Sequence, residues 1–379
     1  MRITDNYISR LFNRNLNTNM EKLANLQEKI ASGKNINRPS DDPVQTIRLL
    51  EINNRIAYNE QYNKNIGEGS SLLQFTQEAI SNCLDVMDTV YDIALKGADV
   101  AVGADERASM AFQIDQQIQE LIDISAQKYQ DKYVFGGART TDKPYQAYTT
   151  ITNEAFTVNS GYDSIQLTHS DIRKSDLISV RDANGQELEI GKDYALDYEQ
   201  GIITVKNKEA MTPGAYTISY QTYDVNFDVE KIEGVDANIR GINQYYYQEI
   251  DDGIKIAMNL PGSEVFEGDV DIFQTLIDLR ESLSQNDQEA VNGSLKDVQT
   301  GIQQLTNANA LAGAKLQRLD LTSDRLTNNK LTLQQQKSGI EDIDVAMAAL
   351  QLQQFQNVYQ AAAYACQTIF DSSLIRFLS

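Results

Sequence analysis

The chain has 379 residues, 41% of them hydrophobic, and a formal net charge of −21 at pH 7. This length allows two or three domains with cores of their own, and the acidic balance argues against nucleic acid or an anionic membrane surface as a partner bound through charge. No apolar run approaches the ~20 residues of a transmembrane helix, and the start, MRITDNYISRLFNRN, lacks the continuous apolar core of a cleavable signal peptide.

Helical periodicity dominates the first third of the chain. A first helix is predicted over 5–32 and ends at Gly33, because glycine favours the left-handed conformation that closes helices. In the segment NINRPSDDPVQT, Asp42 is placed to cap a second helix and Pro43 to begin it. The apolar period of this second helix continues to about Gly97.

The period changes after a third helix, which is predicted to open near Asp105 and to carry Tyr129. Between 145 and 229 the chain is predicted to form short strands, since apolar and polar residues alternate there. Asn184-Gly185 and Gln200-Gly201 have the composition of hairpin turns. The strands that flank these turns are predicted at 177–181, 187–190, 194–198 and 202–205.

Helical character is predicted to return near Asp236 and to continue in a long helix over 287–337. Ser338 and Glu341 have the Ser-x-x-Glu spacing of a capping box, so the last helix is predicted to begin near Gly339. Neither flanking set of amphipathic helices can bury its apolar stripe alone. The two sets are therefore predicted to pack together.

The predicted fold class is mainly α with an inserted all-β domain. It comprises terminal coiled-coil helices, a bundle or rod of long helices, and a small β-sandwich-like outer domain. The predicted boundaries are 1–35 with 338–379 for the terminal coiled-coil domain, 36–140 with 236–337 for the helical rod domain, and 141–235 for the inserted β domain.

The segment 345–370, VAMAALQLQQFQNVYQAAAYACQTIF, contains no Asp, Glu, Lys or Arg. One apolar stripe follows a seven-residue repeat, and Ile343, Met347, Leu350 and Val358 lie off that stripe. One partner helix cannot cover so wide an apolar surface, whereas neighbouring copies of the chain can. An ordinary buried helix of a bundle is the alternative, although a helix packed only in its own monomer usually has one charged face. We therefore interpret this segment as a self-assembly element.

The first and last helices are predicted to be partners in a coiled coil built from both chain ends. Isolated terminal helices are marginally stable in water, so their ordering is expected to be coupled to assembly. The residues expected to carry the packing and assembly of these helices are Ile8, Phe12, Leu16, Leu23, Ile30, Val345, Leu352, Phe355, Tyr359 and Ile369.

No catalytic, cofactor-binding or metal site is predicted, and the chain is not expected to be an enzyme. Carboxylates are spread along solvated helix faces, and the segment DANGQELE at 182–189 fits a hairpin turn better than a calcium loop. His169 is expected at the surface, and Cys83 and Cys366 are expected to be small buried hydrophobes without a disulfide. The run of three tyrosines at 245–247 is typical of a half-buried helix or strand, and a sugar-binding platform is the alternative interpretation.

Both ends of the chain resemble the flagellin superfamily. The amino-terminal segment resembles its signature over MRITDNYISRLFNRNLNTNMEKLANLQEKIASGKNINRPSDDPV, in which a Ser-Gly-Lys segment ends a long helix and a Pro-Ser-Asp-Asp-Pro loop follows. The carboxy-terminal segment is similar to the matching region over SGIEDIDVAMAALQLQQFQNVYQAAAYACQTIF. The loop of the family motif corresponds to Arg38, Pro39, Ser40, Asp41, Asp42 and Pro43.

Three further segments, DKYVFGGARTTDKPY, NLPGSEVFEGD and FDSSLIRFLS, resemble hook-associated proteins of the hook–filament junction more than filament subunits. The β domain carries little of the resemblance. The resemblance implies a structural subunit that forms a ring of identical copies, with another hook-associated protein on one side and flagellin on the other. It also implies an export chaperone at the carboxy-terminal segment and export by the flagellar type III apparatus to the extracellular flagellum.

Two other functions compete with this expectation. A flagellin, the filament subunit itself, would polymerise alone into long filaments, whereas a junction subunit would not. A carbohydrate-binding or adhesive surface protein would place its site in the β domain. A hydrolytic enzyme would need a cleft with paired carboxylates, and the sequence singles out no such pair.

Overall fold

The computed structural model describes residues 5–159, 164–226, 231–237 and 242–378, with side chains described for these residues except 5–6, 8–9 and 366–378. The helices are α1 (Asp5–Ser32), α2 (Pro43–Gly97), α3 (Ala104–Ser125), α4 (Gly262–Phe266), α5 (Ile272–Ser284), α6 (Gln288–Glu341) and α7 (Val345–Leu378). The strands are β1 (Lys128–Tyr129), β2 (Lys132–Tyr133), β3 (Tyr145–Val158), β4 (Ser164–Gln166), β5 (Ile172–Arg173), β6 (Ser179–Asp182), β7 (Glu187–Leu188), β8 (Tyr194–Asp197), β9 (Ile202–Val205), β10 (Gly214–Thr222), β11 (Gly234–Ala237), β12 (Tyr247–Asp251) and β13 (Ile254–Ala257).

The predicted ends of the first two helices are confirmed. α1 ends one residue before Gly33, which has a φ of 71° that an L side chain adopts only with strain. α2 begins at Pro43, and the Asp42 carboxylate accepts hydrogen bonds from the N–H groups of Val44 (3.1 Å) and Gln45 (3.0 Å). Asp42 therefore satisfies donors that the first turn of a helix leaves without intrahelical partners.

The chain divides into two compact units. The first comprises Met1–Lys64 and Thr322–Ser379, and the second comprises Asn65–Leu321. Within the first unit, the starting part of α2 and the final part of α6 lie antiparallel. Lys330 Nζ is 2.9 Å from Glu60 Oε1, and Ser323 Oγ donates to Asn63 Oδ1 at 3.2 Å. The buried apolar residues of these two helical parts are Leu49, Ile52, Leu326 and Leu333.

The helical part of the second unit is held by an aromatic cluster and by a buried arginine. The rings of Phe135 and Tyr145 each lie 5.2 Å from the ring of Phe266 in edge-to-face geometry. Arg280 of α5 is buried, and its Nη1 donates to Asp115 Oδ1 of α3 at 2.9 Å and to the carbonyl of Ile232. One guanidinium thus connects two packed helices and the segment that leads into β11.

The strands from β3 to β11 form two sheets around one core, which confirms the predicted sandwich-like arrangement. The larger sheet has the order β11-β3-β10-β6-β7, with β5 also paired to β10, and the smaller sheet has the order β4-β9-β8. All these pairs are antiparallel. Both sheets supply buried residues to the shared core, including Val180, Ile203, Ile218 and Tyr220.

Both predicted hairpin turns are confirmed. Gly185 has a φ of 81°, and the Asp182 carboxylate accepts from the N–H groups of Asn184 (2.9 Å) and Gln186 (2.8 Å). The DANGQELE segment is therefore a turn closed by its own aspartate. At Gly201, a Cβ atom would stand 2.1 Å from the carbonyl oxygen of His169, so the residue must lack a side chain.

Two predicted helical segments are wrong. Tyr129 is not on the third helix, because α3 ends at Ser125 and the chain turns into the β1–β2 hairpin. The return to helix near Asp236 is also wrong, since Asp236 lies in β11 and the next helix begins at Gly262. The intervening β12–β13 hairpin turns at Gly253, where φ is 68°. The Asp-Gly turn signal and the alternation on either side of it outweigh helical spacing there.

Replacing Asp131 by glycine is expected to stabilise the β1–β2 hairpin. Its two turn residues, Gln130 and Asp131, have φ values of 48° and 63°, the primed-turn geometry that glycine adopts most readily. Relief of this strain outweighs the free-energy cost of the greater conformational entropy that glycine gives the unfolded chain. The free energy of unfolding is therefore expected to rise by about 0.5–1 kcal/mol. Urea unfolding followed by circular dichroism measures it. Gly253→Ala is the matched control and should destabilise by a similar amount, and an Asp131→Gly variant less stable than the parent would contradict this assignment.

Candidate assembly surface

A short break separates α6 from α7, and backbone pairing with the end of α1 creates it. The Asn35 N–H donates to the carbonyl of Glu341 at 2.6 Å, and the Ile343 N–H donates to the carbonyl of Gly33 at 3.1 Å. These bonds draw the chain out of helical geometry after Glu341, where α6 ends, and α7 begins at Val345. No helix begins near Gly339, which lies inside α6. The predicted capping box is therefore wrong.

The residue that caps α7 is Asp344. Its carboxylate accepts from the N–H of Met347 at 3.0 Å, and its carbonyl accepts from the N–H of Ala348. Ser338, which the capping box would use, instead donates to the carboxylate of Asp342 within the last turn of α6. Asp344, three residues before the Met347 amide that it accepts from, thus supplies the cap that the sequence analysis had assigned to Ser338.

An ion pair reinforces the join between α1 and α7. Lys34 Nζ is 2.5 Å from Glu341 Oε1, and this hydrogen bond together with the carboxylate charge raises the pKa of Lys34. Lys34 and Asp342 also form an antiparallel backbone bridge. Because α1 ends and α7 begins at this bridge, the two helices run antiparallel, and they contact each other. The predicted pairing of the first and last helices is present in the isolated chain.

The predicted packing residues fall into three groups. Those that are half-buried are Phe12, Leu16, Leu23, Ile30, Leu352, Phe355 and Tyr359. Val345 is 57% exposed and packs little against its own chain. Ile8 and Ile369 lie outside the described side chains. The tightest contacts are at Leu26 and at Ala348, which is 3% exposed. Leu26 was missed, although its spacing of three from Leu23 and four from Ile30 is the usual signal.

A second apolar face of α7 points away from this contact. Met347, Leu350 and Val358 are exposed, and Leu350 has 65% of its surface accessible. At 3.6 residues per turn these three side chains fall within about 80° of arc, and the centre of that arc lies about 120° from Ala348. Ile343, predicted to share this face, is instead half-buried in the link before the helix.

The beginning of α2 carries another exposed apolar set that the sequence analysis missed. Val44, Ile47, Leu50 and Tyr58 are all exposed, and Val44 has 75% of its surface accessible. These residues lie off the buried stripe of Leu49 and Ile52. Val44, Ile47 and Leu50 follow one another at three-residue spacing, which is typical of one helix face. This face was overlooked because the stripe of Leu49 and Ile52 runs beside it.

The loop of the family motif is held by its two aspartates. Asp41 Oδ2 accepts from the N–H groups of Asn37 (3.0 Å) and Arg38 (2.9 Å), and Asp42 caps α2. Arg38 Nη2 donates to Glu28 Oε1 of α1 at 3.0 Å. Pro39, Ser40 and Pro43 are exposed. The motif residues thus fix the path from α1 into α2.

Acid is expected to loosen this loop through Asp41. The N–H groups of Arg38 and then Asn37 hold the pKa of the Asp41 carboxyl below its ordinary value. A lowered folded pKa means that the stabilisation is present above the ordinary aspartate range and is lost as the pH falls through the folded pKa. Amide exchange at Asn37 and Arg38, corrected for its intrinsic pH dependence, should therefore lose protection as the pH falls below the ordinary aspartate range near about pH 4. In Asp41→Asn protection should already be reduced at neutral pH, and equal protection in the two proteins would contradict this role.

Chemical sites are sparse in the part of the chain that the structure describes. No group of three or more His, Cys, Asp or Glu side chains there could hold a metal ion. Cys83 is a free, fully buried thiol whose pKa is raised by burial, as expected of a small hydrophobe, whereas the Cys366 side chain lies outside the described set. His169 is half-buried beside the hydroxyl of Tyr220 (3.2 Å). None of the described helices has the length and hydropathy needed to cross a lipid bilayer.

Two family models match the chain. The model of the bacterial flagellin N-terminal helical region matches residues 3–140, and that of the bacterial flagellin C-terminal helical region matches residues 295–378. Together these matches cover more than half of the chain. They include α1 to α3, the motif loop and α7.

Curated relatives are similar at low identity. The flagellar filament 30.7 kDa core protein of Treponema maltophilum is 26% identical over 32% of this chain and 42% of its own length. The flagellar filament 33 kDa core protein of Treponema phagedenis is 23% identical over 60% of this chain and 81% of its own length. The flagellar hook-associated protein 3 of Salmonella typhimurium is 22% identical over 33% of this chain and 39% of its own length. The chain therefore spans less than half of the first and third of these relatives.

Among solved structures, a Vibrio parahaemolyticus chain described as a flagellar hook-associated protein aligns with a TM-score of 0.50. The alignment covers 80% of this chain and 100% of that chain at 14% identity. Similarity at this level establishes a shared fold.

Proposed function

Because this chain belongs to the flagellin family of non-enzymatic structural proteins of the bacterial flagellum, we propose that it is the subunit of the hook–filament junction, hook-associated protein 3. In this role identical copies form a ring through their terminal helices. The proposed domains are the terminal domain, 1–35 with 338–379, the helical rod, 36–140 with 236–337, and the inserted β domain, 141–235.

The observation that carries the assembly role is the exposed apolar face of α7. Met347, Leu350 and Val358 are open to solvent in the isolated chain, and no charged residue occurs between Val345 and Phe370. Burying one such side chain contributes about 1.5–3 kcal/mol, so a few per subunit offset the ordering of a marginal helix. The absence of charge means that no unpaired ion is buried at the contact.

The paired segments of the second unit favour a junction subunit over a filament subunit. Two of the three segments that resemble junction proteins, 131–145 and 259–269, are far apart in sequence but pack on each other. The Gly262 N–H donates to the carbonyl of Phe135 at 3.1 Å, and Phe266 contacts both Phe135 and Tyr145. A Cβ atom at Gly262 would stand 2.9 Å from that carbonyl, so the two segments require each other's shape.

The proposed partners follow from the proposed position. One face of the ring contacts another hook-associated protein and the other face contacts flagellin. Before assembly an export chaperone holds the carboxy-terminal segment, and the flagellar type III apparatus exports the chain to the extracellular flagellum. Val345 is proposed to contact a neighbouring copy. The residues proposed to pack within the terminal domain are Ile8, Phe12, Leu16, Leu23, Ile30, Leu352, Phe355, Tyr359 and Ile369.

Deleting the gene and imaging the flagella by electron microscopy tests this function. Hooks without filaments, with flagellin released into the medium, are the expected result. Intact filaments on the deletion strain would overturn the junction role.

A filament subunit is the second candidate, because several of the relatives are flagellins or filament core proteins. Purified full-length chain distinguishes the two. Long filaments formed by this chain alone would favour a flagellin, whereas a junction subunit remains short or unpolymerised until its neighbours are supplied.

A further inference from the structure

A cavity of about 370 Å³ is lined by residues of the second unit alone, none of which belongs to the terminal helices that carry the proposed assembly role. Its walls come from α2 around Gly69, from the β1–β2 hairpin and the loop that follows it, and from the segment around the β12–β13 hairpin. This volume is within the range of about 300–1,000 Å³ that small-molecule sites occupy. Three separate segments thus converge on one recess of ligand size.

Four tyrosines contribute to the walls of this cavity. Tyr129, Tyr133, Tyr245 and Tyr246 all line it, and the Tyr129 ring packs on Phe75 with centroids 5.8 Å apart. A tyrosine has a flat apolar face and a hydroxyl at its edge. Tyr133 is buried, with Lys128 Nζ 4.5 Å from the centre of its ring, so it forms the floor of the cavity more than a stacking face. Tyr246 is 53% exposed, so part of its surface is open to solvent at the cavity. The cavity therefore suits a flat ligand that has both apolar and hydrogen-bonding surfaces.

Several polar side chains at the cavity are uncommitted. Within the described residues, the side chains of Glu68, Lys132, Thr140 and Gln248 make no hydrogen bond or ion pair with the protein. They supply donors and acceptors of both kinds. One acidic and one basic side chain give the lining no net charge, so neither an anionic nor a cationic ligand is favoured by charge.

Hydrogen bonds within the protein hold one wall in place before any ligand arrives. Lys315 Nζ donates to the carbonyl of Asn259 at 2.9 Å and lies 5.4 Å from the centre of the Tyr245 ring. The Tyr245 hydroxyl donates to Glu264 Oε2 at 2.8 Å, which raises the pKa of Tyr245 to about 12. The Tyr246 N–H donates to Asn259 Oδ1 at 2.7 Å. Such restraint reduces the entropy lost when a ligand binds.

We propose that this cavity binds an uncharged mono- or disaccharide. A pyranose ring has apolar C–H faces that pack on tyrosine rings and a rim of hydroxyl groups that pair with amide, carboxylate and hydroxyl side chains. The rings of Tyr129 and Tyr246 and the uncommitted Thr140 and Gln248 match these two surfaces. The site is independent of the assembly face on α7, because its lining residues all belong to the second unit.

Saturation-transfer NMR on the full-length chain, followed by titration calorimetry, tests this proposal. The probes are glucose, N-acetylglucosamine, maltose and lactose, with sialyllactose as a charged comparison. Tyr246→Ala removes one stacking face but keeps the backbone bond to Asn259. Tyr247→Ala is the matched control, since Tyr247 is its chain neighbour, is 59% exposed and does not line the cavity.

Binding of at least one neutral sugar is expected, weakened about tenfold or more by Tyr246→Ala and by less than about twofold by Tyr247→Ala. Gln248→Ala should weaken it as well. Failure of every neutral probe to bind with a Kd below about 10 mM would overturn the proposal. It would also be overturned if binding were indifferent to both Tyr246→Ala and Gln248→Ala, or if the charged sugar bound tighter than lactose. Self-association that depends on Tyr246 would instead mark the cavity as a contact between copies.

Discussion

Replacing Leu350 by aspartate is expected to abolish assembly while leaving both compact units folded. Leu350 has 65% of its surface accessible, so the substitution removes little packing within the monomer. In a contact between copies the new carboxylate would be buried without a partner, which costs several kcal/mol. A strain carrying Leu350→Asp should therefore be non-motile, with hooks that lack filaments in electron micrographs.

Gln353→Asp provides the matched control for this experiment. It places the same charge on the same helix about one turn later, about 100° away from the centre of the exposed apolar face. Its strain should keep filaments. Secreted protein levels should be equal for both variants, which separates an assembly defect from an export defect. Motile cells carrying Leu350→Asp would contradict the proposed assembly role of this face. Leu352 is a less clean target, because it is half-buried against its own chain.

Replacing Arg280 by methionine is expected to destabilise the second unit by about 3 kcal/mol. The Arg280 side chain is only 2% exposed, and it satisfies both Asp115 and the carbonyl of Ile232. Methionine retains much of the apolar volume of the arginine side chain. The loss in unfolding free energy therefore comes mainly from the two acceptors, Asp115 and the Ile232 carbonyl, that are left without a donor. The effect lies at the lower end of the range for broken buried pairs, since the Asp115 side chain is 30% exposed and can recover some solvation.

Hydrogen exchange of peptides from α3 and α5 measures this loss. Lys231→Met is the comparison, because it removes a nearby pair, Lys231 with Glu281, whose two side chains are each about half exposed. That change should cost less than about 1 kcal/mol. Similar losses in the two variants would mean that Arg280 is not a structural centre of this unit.

Helix ends set by local chemistry were predictable from the sequence. The left-handed Gly33, the Asp42 cap and Pro43 each act on their immediate neighbours, so the end of α1 and the start of α2 follow from short segments. The hairpins at Gly185 and Gly201 were predictable for the same reason. The exposed face of α7 was predictable in part, because Met347, Leu350 and Val358 lie off the main stripe.

Features fixed by distant contacts were not predictable. The break before α7 is set by hydrogen bonds from Asn35 and to Gly33, which no spacing around Ser338 reveals. The cavity of the second unit is assembled from three remote segments, so the Tyr245-Tyr246-Tyr247 run alone could not indicate its other walls. The β12–β13 hairpin was a different failure, since its Asp-Gly turn was visible but the helical spacing around it was given more weight.

The pairing of Lys34 with Asp342 also constrains when the protein can fold. These residues are more than 300 positions apart, so the first helix leaves the ribosome long before its partner has been made. The contiguous unit Asn65–Leu321 can fold during synthesis, whereas the unit built from both termini must wait for translation to finish and for a very long loop to close. The order of synthesis therefore keeps the two ends of a new chain apart until the last residues appear.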